Sequence, residues 1–255
     1  MSVNKAAFLQ SINVAAFIVT VAVNVLAGST TLLGGTTSGA ISDQYPTLIT
    51  PAGYTFSIWG IIYTLLLVFI IYQALPRNRN QPFVGQVGVL FALSSVLNIF
   101  WLILWHYEFI TSSVALMLAL LATLIAIYLR LDIGRADISL REKVCVHVPF
   151  SVYLGWITVA SIANVAVALR FVDWGGGGID PVTWAVLVIG VALVITLAAI
   201  VLRKDAAYSL VIVWALVGIR AKQLETQTVT LTAEVGITII LIALVVVTVV
   251  SRLKR

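Results

Sequence analysis

The chain has 255 residues, of which 61% are hydrophobic and 10% are charged, and its formal net charge is +5. Soluble domains have about 25% charged and roughly 45–50% apolar residues, so this composition cannot supply a soluble surface. It excludes a cytosolic enzyme, a nucleic-acid binder and a disulfide-stapled secreted domain, and it indicates an integral membrane protein whose basic excess reflects loop topology.

The apolar runs predict eight membrane-spanning helices. A span needs about 20 mostly apolar residues, because roughly 30 Å of hydrocarbon is crossed at about 1.5 Å per residue. The seventh predicted span is the shortest. The expected fold class is therefore an all-α integral membrane protein. In chain order the predicted spans cover residues 7–27, 53–75, 83–104, 112–131, 146–170, 182–202, 206–220 and 232–250.

The placement of basic residues predicts that both termini lie in the cytoplasm, since cytoplasmic loops are enriched in Lys and Arg. With eight spans and a cytoplasmic N-terminus, only Arg170, Arg220 and Lys222 fall on the outer side. Without the seventh span the basic C-terminus would lie outside, so the charge bias favours eight spans. The other twelve basic residues, all on the inner side, are Lys5, Arg77, Arg79, Arg130, Arg135, Arg141, Lys143, Arg203, Lys204, Arg252, Lys254 and Arg255.

The first span has a second interpretation. Lys5, the apolar run after it and the sequence LAGS at 26–29 together resemble a signal peptide with its cleavage site. Cleavage would leave seven helices, as in a rhodopsin, but the last two spans hold no mid-helix lysine for a retinal Schiff base. The uncleaved form with eight spans is the main prediction.

Two connections organise the chain. Residues 28–52 form a long outer loop rich in Gly, Ser and Thr, and a loop of this length is typical of a lid or a binding element. Residues 173–181 contain four consecutive glycines and are interpreted as a flexible linker. The prediction is therefore a five-helix ligand-binding bundle at 1–172, followed by a three-helix membrane extension at 182–255.

Polar and aromatic residues repeat on one face of four predicted helices, at the helical period of 3.6 residues. Polar side chains are costly against lipid, so such a face should point to protein, water or a ligand. The stripes comprise Asn13, Phe17, Thr20 and Asn24 on the first span; Phe56, Trp59 and Tyr63 on the second; Ser94, Asn98, Trp101 and Trp105 on the third; and Tyr153, Trp156, Ala160 and Asn164 on the fifth.

The predicted topology brings these stripes together in the outer half of the membrane, beneath the loop at 28–52. A pocket lined by flat rings and a few amides suits a planar, largely apolar ligand. The alternative is a purely structural role, because Trp and Tyr also gather at membrane interfaces and Asn commonly bonds between helices. The last three spans carry few comparable groups, and Trp184, Tyr208 and Trp214 are isolated in the sequence.

The sequence pattern does not indicate catalysis or metal binding. His106 and His147 fall at opposite faces of the membrane, so they cannot share a metal ion. Asp43 and Glu108 lie in outer loops with no evident partner, and no acid falls near the middle of a span. We therefore expect neither a catalytic residue nor a metal site.

Three sequence motifs are similar to those of a known membrane-protein family. They are PAGYTFSIW at 51–59 followed by Tyr63, NIFW at 98–101, and PFSVYLGW at 149–156 followed by Ala160 and Asn164. In order and helix placement they resemble PPxWVFxxxWxxLY, LNxxW and PYxxW…A…LN of the translocator protein family (TspO/MBR), also called tryptophan-rich sensory proteins. The resemblance covers residues 7–170.

The resemblance implies a five-helix bundle that binds porphyrins, sterol-like molecules or synthetic aromatic ligands, often as a dimer. Family members usually carry a loop Trp before a double proline, and that Trp is linked to porphyrin photochemistry. Residues 46–52 contain no Trp, so this photochemistry is not expected here. The last three spans lie outside the short family form. The implied cavity would use Trp59, Tyr63, Asn98, Trp101, Ala160 and Asn164, with the loop before Pro51 closing it.

The sequence thus predicts a non-enzymatic protein of the cytoplasmic membrane that binds a planar hydrophobic ligand for sensing, sequestration or transport. No resident cofactor is assigned, and the candidate ligands are a porphyrin or other tetrapyrrole, an isoprenoid and a sterol-like lipid. The expected partners are membrane lipid, this ligand, and a homodimer or larger membrane complex. The alternatives are a small secondary transporter and an accessory subunit of a larger complex. The sequence shows neither the mid-membrane acids nor the internal repeat that are typical of secondary transporters. The candidate ligand-binding residues are Asn24, Phe56, Trp59, Tyr63, Asn98, Trp101, Trp105, Tyr153, Trp156, Ala160 and Asn164.

Overall fold

The structure, a computed structural model, describes residues 3–29 and 33–253 of the chain. Within those residues the regular secondary structure is entirely helical, so the predicted all-α fold class is confirmed. Eight of the described helices have 17 residues or more. They are α1 (Val3–Ser29), α2 (Ile58–Ala74), α3 (Leu90–His106), α4 (Ile110–Arg130), α5 (Val148–Phe171), α6 (Pro181–Arg203), α7 (Ala206–Lys222) and α8 (Gln227–Leu253).

Six helical segments of the described chain are long and apolar enough to cross a membrane, and they contain α1, α2, α4, α5, α6 and α8. The chain is therefore a multi-pass integral membrane protein. Helix α3 is apolar but has only 17 residues, about 26 Å of length at 1.5 Å per residue. A short helix at Pro82–Val87 precedes it, and Gly88 separates the two with a φ of 52°. Helix α7 also has 17 residues.

The helix boundaries follow from local sequence signals. Asp180 caps α6, its carboxylate accepting hydrogen bonds from the backbone N–H groups of Val182 and Thr183. The Thr183 hydroxyl also donates to this carboxylate, and that bond, together with the backbone bonds, holds the pKa of Asp180 below its usual range. Asp205 caps α7 in the same way, accepting from the Tyr208 N–H. Only two residues separate α6 from α7, so these helices form a tight antiparallel pair.

Helices α1 to α5 pack into one bundle. Helix α4 lies between α3 and α5, and α1 lies against α2 and α3. Three buried rings form the centre of this bundle: the Phe69 ring centroid lies 4.9 Å from that of Phe150 and 5.5 Å from that of Phe91. Because these rings come from α2, α3 and α5, they fix the relative positions of the three helices that carry most of the predicted site.

Helix α7 joins the last three helices to the bundle. It packs against α6, α8 and α5. Gly155 of α5 permits this close approach, since a Cβ atom there would lie 3.0 Å from the Val211 side chain and 3.1 Å from the Tyr208 carbonyl oxygen. At the same junction the Ser151 hydroxyl donates to the buried Asp205 carboxylate over 2.7 Å. The division into a bundle, a linker at 173–181 and an extension stays a prediction.

The expectation that the aromatic residues of the last three helices are isolated is wrong for Trp184. Its indole N–H donates to the Gly176 carbonyl over 2.7 Å, and its ring centroid lies 5.4 Å from that of Trp174. These contacts hold the glycine-rich turn at Gly176–Gly178 against the start of α6. The sequence could not show this, because the partner is a backbone carbonyl.

Candidate functional site

Five predicted aromatic residues from α2, its preceding turn and α5 form one continuous cluster. The Trp59 ring stacks on Tyr63, with centroids 5.6 Å apart and planes 16° apart. It meets Tyr153 and Trp156 edge to face, at 6.1 and 6.3 Å. Phe56 completes the cluster with an edge-to-face contact to Trp156 at 5.7 Å. The two predicted stripes therefore face each other across the α2–α5 interface.

The α3 stripe meets α5 through a hydrogen bond between buried side chains. The Trp101 indole N–H donates to the Asn164 amide oxygen over 3.0 Å, and the Trp101 ring stacks on Trp105 with centroids 6.0 Å apart. The Asn164 amide nitrogen donates to the Ser113 hydroxyl of α4 over 3.0 Å. Sequence reasoning missed Ser113, although it is one of few polar residues in an otherwise apolar span.

The α1 stripe divides between the two ends of the bundle. Asn24 donates to the Asn98 amide oxygen over 2.8 Å, which brings the α1 residue of the predicted site onto α3. Asn13, about three turns away on the same helix, donates instead to the Gln73 side-chain oxygen over 3.2 Å, near the opposite end of α2. Ala160 lies on the α5 face that the aromatic cluster shares with Asn164.

Three hydrogen-bond donors in and beside this aromatic cluster are buried without a partner among the described residues. They are the Asn98 amide nitrogen, the Trp156 indole nitrogen and the Tyr63 hydroxyl. A buried donor left unpaired costs about 1–3 kcal/mol, so three such groups favour a molecule that brings acceptor atoms to them.

A small cavity of about 40 Å³ lies among α2, α3 and α5. Pockets for drug-sized ligands have volumes of about 300–1,000 Å³, so this conformation is closed. Asn24, Tyr63, Asn98 and Tyr153 lie outside the lining. Seven of the predicted residues line it: Phe56, Trp59, Trp101, Trp105, Trp156, Ala160 and Asn164.

Residues 33–57, here called the covering loop, close this cavity. They include a short helix at Ser38–Gln44, and Ser38, Ser42 and Pro51 contribute to the cavity lining. The Trp105 indole N–H donates to the Ser38 carbonyl over 3.2 Å, so a predicted site residue also holds the loop.

A second contact ties the covering loop to the α3–α4 turn. The Tyr45 hydroxyl donates to the Glu108 carboxylate over 3.0 Å. Partial burial and this bond to an anion raise the pKa of Tyr45 above its ordinary value. The expectation that Glu108 has no partner is therefore wrong. Residues 30–32, which belong to the predicted loop at 28–52, lie outside the described residues.

Comparison with known families identifies the family of this chain. A family model described as TSPO-like protein matches residues 10–247, which include all or most of each of the eight helices. The chain belongs to the TSPO-like protein family. The predicted family is therefore confirmed, and the match continues through α6, α7 and α8. No curated protein and no solved structure gives a match.

In this TSPO-like protein, α7 binds the covering loop through backbone groups. The Ala52 N–H donates to the Gly218 carbonyl over 3.0 Å, and the Trp214 indole N–H donates to the Thr55 carbonyl over 3.0 Å. A Cβ atom at Gly218 would lie 2.1 Å from the Thr55 hydroxyl oxygen and 3.0 Å from the Pro51 Cβ, so only glycine fits. Trp214, expected to be isolated, is instead part of this contact.

Side chains at the end of α7 extend the same contact. The Lys222 ammonium pairs with the Asp43 carboxylate, and the Gln223 amide nitrogen donates to the Thr47 carbonyl over 3.2 Å. The expectation that Asp43 has no partner is therefore wrong. Together with the Gly218 contact, these bonds make α7 the main support of the covering loop outside the five-helix bundle.

Proposed function

We propose that this TSPO-like membrane protein binds a planar, largely apolar ligand between α2, α3 and α5, for sensing, sequestration or transport. The observation that carries the proposal is the partly buried aromatic cluster around Trp59, together with the three unpaired donors of Asn98, Trp156 and Tyr63. Flat rings match a flat ligand, and unpaired donors match acceptor atoms on it. The role is binding rather than catalysis, as is general in this family.

The unpaired donors narrow the ligand class. A pure hydrocarbon would leave the Trp156 N–H of the cavity wall unpaired, and also the Asn98 N–H, which lies outside the lining of the closed cavity, at a cost of about 1–3 kcal/mol for each group. A tetrapyrrole with carboxylate or carbonyl groups, or an oxygenated isoprenoid or sterol-like lipid, would pair with them. Among the predicted ligands we therefore favour those that carry oxygen acceptors.

Ligand access requires the covering loop to move. The cavity holds about 40 Å³, whereas a tetrapyrrole needs a pocket in the range of several hundred Å³. The loop residues Ser38, Ser42 and Pro51 line the cavity, so displacing them enlarges it. Since α7 holds the loop, we assign this helix to the control of ligand access.

We also propose that the protein crosses the cytoplasmic membrane eight times, with both termini inside. With a cytoplasmic N-terminus and eight successive antiparallel spans, the covering loop would lie outside and twelve of the fifteen basic residues inside, which supports this topology. In a Cys145→Ser background, a cysteine replacing Glu225 should react with a membrane-impermeant maleimide in intact cells. A cysteine replacing Asn80 should react only after permeabilisation. The reverse pattern would contradict this topology.

Tryptophan fluorescence tests ligand binding, because four of the seven tryptophans line the cavity. Protoporphyrin titrated into the purified protein should quench the fluorescence saturably. Asn98→Ala and Trp156→Phe each remove one unpaired donor and should weaken binding about tenfold, the effect expected of one hydrogen bond to a charged acceptor.

Trp184→Phe is the matched control, since Trp184 lies in the first turn of α6 and outside the cavity lining. It should bind the ligand as the wild-type protein does. Linear quenching without saturation, or equal affinity in all four proteins, would contradict the proposed site.

A further inference from the structure

An open cleft of about 630 Å³ lies at the end of the bundle opposite the covering loop. One wall comes from the connection between α2 and α3, with Arg77, Asn78 and Gln81. The other wall comes from the segment that leads into α5, with Ser139 and Arg141. The two arginines therefore enter one cleft from separate parts of the chain, although 64 positions separate them in the sequence.

Neither arginine is paired with an acid among the described residues. Arg77 and Arg141 are exposed, and neither forms an ion pair or a hydrogen bond with any residue of the described ranges. Arg203, at the same end of the molecule, shows the contrast, because it pairs with Asp132. Glu142 follows Arg141 directly, and its carboxylate acts electrostatically on Tyr72 of the cleft, as both arginines do, but it forms no ion pair with either arginine.

The cleft offers the chemistry that recognises a phosphate group. Guanidinium groups bind phosphate oxygens in pairs of parallel hydrogen bonds, and hydroxyl and amide side chains supply further donors. The cleft is also lined by Tyr72, in the last turn of α2, and by the exposed Leu140, so apolar side chains lie beside its polar groups. Lipid head groups lie just beyond the hydrocarbon core of a bilayer, so a cleft beside the last turn of a spanning helix suits a lipid phosphate.

We propose that this cleft binds a phosphate group, carried by the head group of an anionic phospholipid or present as a free phosphate. Arg77 and Arg141 hold the phosphate oxygens from the two walls, and Gln81 and Ser139 complete the site. Binding links the α2–α3 connection to the start of α5. This site is separate from the proposed ligand cavity, so either one can fail without the other.

Native mass spectrometry of the full chain in neutral detergent tests the proposal. The protein is mixed with phosphatidylglycerol, with phosphatidylcholine, or with inorganic phosphate. The double variant R77Q/R141Q should bind phosphatidylglycerol at least about tenfold more weakly than the wild type, since each arginine near an anionic head group contributes about 1 kcal/mol. The matched control is R130Q/R252Q, which removes two exposed, unpaired arginines from the same end of the molecule but outside the cleft.

Each outcome decides the question. The site is supported if phosphatidylglycerol binding is weaker in R77Q/R141Q and unchanged in R130Q/R252Q. The free anion is identified as the occupant if inorganic phosphate displaces the lipid, or if phosphate binds saturably without lipid. Equal loss in both double variants would show diffuse attraction and overturn the proposal, as would the absence of binding. R77K/R141K keeps the charge but loses the paired hydrogen bonds, so intermediate binding by this folded variant also supports the site, and unchanged binding opposes it.

Discussion

Replacing Gly218 with alanine should open the covering loop. The new Cβ atom would lie 2.1 Å from the Thr55 hydroxyl oxygen, a separation at which the loop and α7 cannot keep their present positions. Thr55 is fully buried, and its β-branched side chain has few alternative rotamers, so the strain falls on the loop backbone. The hydrogen bond from the Ala52 N–H to the Gly218 carbonyl is then lengthened or lost.

The magnitude follows from the two contacts involved. Overpacking of this kind costs about 1–3 kcal/mol, and that energy is released when the loop moves away from α7. A shift of about 1–3 kcal/mol changes an equilibrium between closed and open forms by about 5-fold to 150-fold. Because the closed cavity is too small for a tetrapyrrole, the open fraction limits binding, and the apparent association rate should rise by at least about fivefold.

Stopped-flow quenching of tryptophan fluorescence by protoporphyrin measures this rate. Gly190→Ala of α6 is the matched control, because it makes the same substitution in a helix where a Cβ atom meets nothing within 4 Å. The double variant T55A/G218A removes the clashing hydroxyl but keeps the contacts of 3.0 Å to the Pro51 Cβ and 3.1 Å to the Thr55 Cβ, so it should return the rate part of the way toward the wild-type value. Equal rates for wild type, G190A and G218A would refute the proposed control of access by α7.

Three further outcomes follow from contacts elsewhere in the molecule. Trp101→Phe removes the bond to Asn164 and should lower the free energy of unfolding by about 0.5–1.5 kcal/mol, measured by thermal unfolding in detergent; an unchanged midpoint would contradict this contact. Asp205→Ala removes the α7 cap and a buried acceptor, and should destabilise the protein by at least about 1 kcal/mol in the same assay, more than an exposed Asp137→Ala control. The raised pKa of Tyr45 means that its bond to Glu108 is intact below the ordinary tyrosine pKa of 10.0 and is lost as the pH rises through the higher value in the folded protein. The association rate should therefore increase at high pH more in the wild type than in Tyr45→Phe, and an equal increase in both would contradict this role.

Much of the ligand site could be predicted because its signals are local. The 3.6-residue spacing of Trp59 and Tyr63 on one helix, and of Trp156 and Asn164 on another, defines a face without knowledge of the partner helix. Polar groups in an apolar span must find protein, water or ligand, so these faces had to point inward. The contacts between Trp59 and Trp156 and between Trp101 and Asn164 follow that rule.

The support that α7 gives to the covering loop could not be predicted in this way. Lys222 and Asp43 are 179 positions apart, and no periodic pattern connects a loop to a distant helix end. Gly218 carries no side chain, and its partner group is the Ala52 backbone N–H, which every residue except proline possesses. Contacts of this kind leave no trace in residue spacing.

The sequence by itself determined that this is a helical membrane protein of the TSPO-like family and which helix faces carry its aromatic and amide groups. Hydropathy, charge placement and helical period are properties of neighbouring residues, so they can be evaluated without coordinates. Only the tertiary structure decided that the cavity is closed, that α7 holds its covering loop, and that Arg77 and Arg141 share a cleft. The reason is that lipid and protein interior are equally apolar solvents, so composition does not indicate which apolar helix packs against which.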